Sequence, residues 1–249
     1  QLRKISLNVN DEVKVGKYIK LGFTLNSMRQ RNPYSNARGL LFQARRALPI
    51  TPVYNDAAGA YYNLAIQSAQ MINPAMELND NWDKELNYEF RNVASFYADI
   101  SFLRNFNFRS TFYADMSNLE GRKYTQIDSL YDPISGKAFI HNAYNRTAVS
   151  QSNQRWSKFQ QDHVLTFKKS LGDHNLSLTG GFTTYYSEFR GLYGSIKQSL
   201  TGLSIPNDKR FWYLDNGFGD KSTRVSSSGQ WEKATVSGLF RAIYNYKGK

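Results

Sequence analysis

From residue 94 to residue 102 every second position is apolar: Ala94, Phe96, Ala98, Ile100 and Phe102 alternate with Ser95, Tyr97, Asp99 and Ser101. Period-two alternation predicts a strand with one greasy and one wet face. After a tight turn at Arg104-Asn105 the same parity resumes in Phe106, Phe108, Phe112, Ala114 and Met116, against Asn107, Arg109, Thr111, Tyr113 and Asp115. The two runs form a predicted hairpin. A second hairpin opens the chain, with Ile5, Leu7 and Val9, a turn at Asn10-Asp11-Glu12, then Val13, Val15, Ile19, Leu21, Phe23 and Leu25, and Lys14, Lys20, Thr24 and Asn26 opposite. A third runs over 156–169, alternating poorly, turns at Leu171-Gly172-Asp173-His174 and returns through Leu176, Leu178, Phe182 and Tyr186. A final strand over 231–246 places Ala234, Val236, Phe240, Ala242, Tyr244 and Tyr246 on one face, and Thr235, Ser237, Arg241 and Asn245 on the other.

Between these elements lie polar stretches at about 29–85, 118–154 and 191–230, so short and long connections alternate. A short helix is expected at 39–47, around Arg45-Arg46. Structureless connections this long are uncommon in compact soluble domains. Short turns at one end and long loops at the other are the plan of an outer-membrane barrel. The strands read as roughly ten to sixteen residues, against about five or six in soluble sheets and about nine to eleven for a tilted membrane strand. Tyr18, Tyr113, Trp156, Tyr185, Tyr186, Tyr244 and Tyr246 near the strand ends are expected to form interfacial girdles. The fold class is therefore all-β: an antiparallel transmembrane β-barrel segment of about seven long strands with long extracellular loops. An open sheet of that kind would leave two unpaired edges in lipid, each unsatisfied backbone group costing several kcal/mol. Residues 1–249 are accordingly expected to be part of a larger barrel domain completed by strands outside this sequence.

Composition changes the picture little. Aromatics are 15% of residues, led by 17 Tyr and 16 Phe, and they are interleaved with polar residues, as half-buried strands require. The absence of cysteine excludes a disulfide framework and thiolate metal sites. A net charge of +12 would suit nucleic acid if it were clustered. Arg29 and Arg31, Arg45-Arg46, Arg122-Lys123 and Lys168-Lys169 are instead scattered among Asp and Asn, and no nucleic-acid partner is expected.

Three segments carry a resemblance. Ala47-Leu48-Pro49-Ile50-Thr51-Pro52-Val53-Tyr54-Asn55, then Gly59-Ala60-Tyr61 and Asn73-Pro74, resembles the first long loop of SusC/RagA-type TonB-dependent transporters. Asp162-His163-Val164-Leu165 with the returning Gly180-Gly181-Phe182 is similar to a hairpin of that family, and residues 240–249 resemble its strand leading into a periplasmic turn. The resemblance covers essentially the whole chain. It implies a 22-stranded, plugged barrel of the outer-membrane transporter class. It also implies import of oligosaccharides or peptides driven through TonB, with a SusD-like surface lipoprotein as lid. The plug and the TonB box of that pattern are not found in this sequence.

No enzyme is expected, since G-x-S-x-G, H-E-x-x-H and P-loop motifs are all missing. No cofactor is expected either. Of the three histidines, His163 and His174 could approach across one hairpin as a metal pair, but without a placed carboxylate structural or lumen-lining roles fit better. Asp80, Asp83 and Glu85 around Trp82 lack the spacing and glycine of a calcium loop, so no metal site is assigned. Asn145-Arg146-Thr147 and Asp128-Ser129-Leu130 match glycosylation patterns too short to carry weight. Substrate contacts are expected in the long loops at Tyr54, Asn55, Tyr61, Trp82, Arg210, Trp212, Tyr213 and Asp215, with Tyr62 and Phe211 nearby, because sugar rings stack on aromatic faces while amide and charged groups satisfy hydroxyls. Lys14, Lys20, Asp99, Arg109, Asp115 and Arg241 are expected to line the lumen. Two other functions remain open from sequence: a soluble or surface-exposed β-rich carbohydrate-binding protein, and a passive porin.

Overall fold

The computed structural model describes residues 2–32, 37–64, 73–141 and 145–247, with backbone alone at 80 and 81. Seven long strands form one antiparallel sheet: β1 (Arg3–Val15), β2 (Ile19–Asn32), β5 (Glu85–Phe102), β6 (Phe106–Thr125), β9 (Ala148–Leu171), β10 (His174–Lys197) and β11 (Val225–Tyr246), adjacent in that order. Helix α1 (Ala37–Arg46), the short strands β3 (Tyr54–Asn55) and β4 (Ala60–Tyr62) and helix α2 (Pro74–Asn81) lie between β2 and β5; β7 (Ser129–Asp132) and β8 (Lys137–Ile140) lie between β6 and β9. No helix among the described residues is long and apolar enough to cross a membrane.

The strand count and the all-β class agree with the sequence pattern, but two details differ. The first turn falls at Gly16-Lys17-Tyr18, where Gly16 takes φ +68°, and not at Asn10-Asp11-Glu12, which pair in mid-strand with Thr24, Phe23 and Gly22. Three polar residues in a row mimicked a turn, whereas the glycine able to adopt the left-handed backbone lay six residues on. Glu12 keeps its inward parity and pairs with Lys20 at 2.7 Å, while Asp11 interrupts the outward apolar row. The five long strands from β5 onward are also longer than expected, 18 to 24 residues, because polar residues such as Asn118, Arg155 and Arg190 interrupt the outward apolar row in their upper parts and the pattern reads as loop.

Register gives the tilt. Ile19, the first residue of β2, pairs with Ile100, two residues short of the end of β5, and Phe106, the first of β6, pairs with Phe167, four short of the end of β9. Successive hairpins therefore step down by six residues over four strand spacings, about 20 Å along the strands for about 19 Å across them. If the short turns share one level, the strands lean by about 45°, the upper end of the range for transmembrane barrels.

Parity then assigns the faces. Leu7, Val9, Val13, Leu21, Phe23, Phe96, Ile100, Phe112, Leu165, Phe182, Val236 and Phe240 share one face, and most are exposed although apolar. Such a surface needs lipid against it. Polar residues on this face are few near the turns; His163 and Ser110 satisfy each other at 3.0 Å. The opposite face carries Lys14, Lys20, Asp99, Arg109, Asp115 and Arg241.

Above the apolar band the external connections fold into two bodies. The first two share a four-stranded sheet, β3-β4-β7-β8, in which β4 and β7 run parallel. Asn73 clamps this cap: its amide donates to the carbonyls of Val53 and Tyr62, both at 3.0 Å, and its oxygen accepts from the Ala75 backbone N–H at the start of α2. Asn73→Ala removes an N-cap and two buried bonds together. A loss of about 1–2 kcal/mol is expected, read as faster hydrogen exchange confined to the cap. The third connection, 198–224, packs on the outward face of the strand tops: Ile205 and Trp212 are fully buried against Leu86, Tyr124, Val149 and Ile196.

Candidate functional site

The sequence-predicted contact residues fall into two groups. Tyr54 and Tyr61 face each other across the β3–β4 hairpin, edge to face at 4.9 Å. The Asn55 amide donates to the Tyr62 hydroxyl at 3.3 Å while its oxygen accepts from the Ala58 N–H, and the Tyr61 hydroxyl accepts from Asn79 at 3.1 Å. Trp82 is exposed just after α2. The second group belongs to the third external connection. Trp212 is 2% exposed and stacks on Tyr124 at 5.7 Å, Tyr213 lies under the Arg122 guanidinium at 4.5 Å, and Asp215 approaches Arg224 at 4.0 Å. Arg210 chelates Asp208, and that guanidinium, with the Arg210 backbone N–H, holds the Asp208 carboxyl below the usual carboxylate range. The Ser222 hydroxyl and backbone N–H do the same for Asp220. Most of these side chains are thus engaged in building their own loops.

The metal readings fare no better. His163 and His174 are eleven residues apart along the hairpin, and their partners are Ser110 and the Tyr244 hydroxyl. Asp83 pairs with Lys84 at 3.0 Å and Glu85 with Lys123 at 3.1 Å; the Asp80 side chain lies outside the described residues. Among the described residues no group of three or more His, Asp or Glu could hold a metal ion.

The inward wall is where unlike chemistries converge. Arg91 grips Asp115 through two hydrogen bonds of 2.8 Å, Lys158 stands 3.9 Å from the same carboxylate, and the Ser117 hydroxyl donates to Glu89 at 3.3 Å. With Leu119 and Trp156 these residues line a recess of about 200 Å³. Lower on the same face, Asp162 accepts from Gln160 and from Thr183 at 2.7 Å, and Arg109 covers the Tyr97 ring at 4.1 Å. Tyr97 itself fills the space over Gly22, where an added Cβ would meet the ring at 2.2 Å.

Three aromatic residues expected in the membrane girdle belong to this wall instead. Tyr113, Trp156 and Tyr185 have inward parity; only Tyr186, Tyr244 and Tyr246 of the strand residues proposed for the girdle point outward. Trp156, Phe189 and Trp231 lie directly across from one another on β9, β10 and β11, with ring centroids 4.4, 5.9 and 6.2 Å apart. Trp156 was legible as an inward residue from its even spacing to Lys158 and Gln160, a signal that weak alternation in that strand obscured.

No protein-family model matches the sequence. Over 258 aligned positions the chain is 24% identical to "TonB-dependent receptor P3" of Formosa agariphila, an alignment spanning 100% of this chain and 24% of that protein. In fold it is similar to the RagAB peptide transporter, with a TM-score of 0.68 at 13% identity over 99% of this chain and 26% of that one. It is also similar to the RagAB peptide importer in its "closed-closed" state, with a TM-score of 0.66 at 15% identity over 98% and 26%. The chain spans about a quarter of the length of the proteins it matches. The chain is thus similar along its whole length to part of a TonB-dependent receptor in sequence and to part of RagAB in fold, and its fold is that of an antiparallel β-barrel segment.

Proposed function

We propose that residues 1–249 form part of the wall of a TonB-dependent outer-membrane importer of oligosaccharides or peptides, and that the plug and remaining strands belong to a longer polypeptide. The observation that carries this reading is the arrangement of the seven-stranded sheet: tilted strands with an apolar outward band, a polar inward wall, short turns below and folded loops above. Both β1 and β11 have an unpaired edge in the sheet, and in lipid such edges require further strands. The wall acts by binding and shaping a passage and not by catalysis. A SusD-like lipoprotein would cover the cap sheet and loops from outside, and TonB would act on the plug.

The test is fractionation of the source cells with intact-mass analysis of the polypeptide containing these residues, followed by uptake measurements. A heat-modifiable outer-membrane protein about four times this chain's mass is expected, with uptake abolished by deletion of tonB. Uptake that survives the deletion would identify a passive porin, and a stable soluble product of 28.6 kDa would overturn the barrel itself.

A further inference from the structure

Strands β9 and β11 run in the same direction and carry the same triplet pattern, Trp156-Ser157-Lys158 and Trp231-Glu232-Lys233. Register aligns the two copies. Trp156, Phe189 and Trp231 form one inward row, and Lys158, Ser187 and Lys233 form the next inward row below it. Trp156 lies fifteen residues above Leu171 at the turn, which at a 45° tilt is about 35 Å, beyond an apolar band of about 25 Å. The ring row therefore stands on the external side of the membrane, inside the barrel.

We propose that this double row is a binding wall for an acidic oligosaccharide, an inference that rests on the importer reading. The Trp156 and Trp231 rings converge from strands two spacings apart until their centroids are 5.9 Å from each other, so with Phe189 they form one compact aromatic platform that suits a single sugar ring at a time. Aromatic faces take the apolar faces of pyranoses, and the lysines beneath complement ring carboxylates. Asp115 stands in the same row, held by two Arg91 nitrogens and 3.9 Å from Lys158, and Glu89 lines the same recess; Arg91, Lys158 and Lys233 against these two carboxylates leave the wall net positive. Tyr185 and Thr235 in the row below offer donor-acceptor groups that hydroxyls need, whereas Ser187 between the lysines is buried and the Gln160 amide donates to Asp162. A peptide is the poorer fit. Addition of its main chain as a further strand needs the free backbone groups of a sheet edge, and at the level of these rows β9 and β10 are paired on both sides.

The experiment is a tryptophan-fluorescence titration of the full-length transporter in detergent with a short oligogalacturonate, with a maltooligosaccharide and a polyglutamate peptide as comparators. Oligogalacturonate is expected to bind and to weaken with salt. The double variant Lys158→Gln, Lys233→Gln should lose on the order of ten-fold in affinity, and Trp156→Ala more, with heat-modifiability unchanged. The inference is overturned if oligogalacturonate fails to bind, if the neutral sugar or the peptide binds as tightly, or if the variants lower thermal stability and leave affinity intact, which would make the row a contact for the plug. TonB-dependent uptake persisting beside any of those results would leave the importer reading standing, whereas no TonB-dependent uptake of anything would remove both.

Discussion

Phe112→Arg is expected to destabilise the barrel by about 2–4 kcal/mol, while Thr111→Arg, one residue away, changes stability by no more than about 0.5 kcal/mol. Phe112 lies between Phe96 and Gln161 in register, stacks on Phe159 at 6.4 Å, and is 42% exposed on the outward face. Near the middle of a bilayer an arginine there has no water and no partner, and its cost is largest at that depth. Thr111 points the other way, between Tyr97 and Asp162, where a guanidinium gains both a ring and a carboxylate. The measurement is urea unfolding of the full-length protein refolded into lipid bilayers. Equal effects at the two positions would refute the face assignment, and with it every inward residue named above.

The parity that makes this prediction was legible in the sequence wherever both faces are chemically distinct. From Ala94 to Met116 apolar and polar residues alternate almost without fault, and the hairpin there turns where expected, at Leu103–Asn105. Legibility failed above the membrane, where outward residues such as Asn118, Arg155 and Arg190 meet water and selection for apolar side chains lapses. Strand then reads as loop, although backbone pairing continues to Thr125 and Lys197. The same lapse explains the first turn: Asp11 broke the outward row of β1 and, beside two other polar residues, imitated a hairpin loop.

The candidate site was less legible for a related reason. Aromatic and amphoteric residues concentrated in loops serve ligand contact or loop construction, and composition does not separate the two. Tyr54 with Tyr61, and Arg210 with Asp208, turn out to be each other's partners. The inward row escaped notice because Trp156, Phe189 and Trp231 are far apart in sequence; only register unites them. The loop motif that carried the family resemblance had a mechanical meaning throughout: Val53 and Tyr62 are the carbonyls that Asn73 clamps, and Gly59 turns the β3–β4 hairpin at φ +62°.

Trp212 separates the two readings most sharply. As a packing residue it anchors the third external connection: its ring stacks on Tyr124, Ile205 and Val149 close around it, and the Thr147 hydroxyl, bonded to Gln198, accepts from the Ile205 backbone N–H at 2.8 Å. Trp212→Ala should cost about 3–5 kcal/mol. Because the strands pair independently of the loop, that loss falls on the segment 198–224 and not on the barrel. Limited proteolysis of the segment should accelerate on the order of a hundred-fold or more while strand content and heat-modifiability hold. Trp212→Phe is the discriminating variant. The indole N–H is buried without a hydrogen-bond partner among the described residues, so removing it relieves an unsatisfied donor while the stack on Tyr124 is largely kept. Near-native protease resistance and unchanged ligand affinity are expected of it. A loss of affinity with the loop still protected would instead make Trp212 a ligand contact and return the third connection to the binding site.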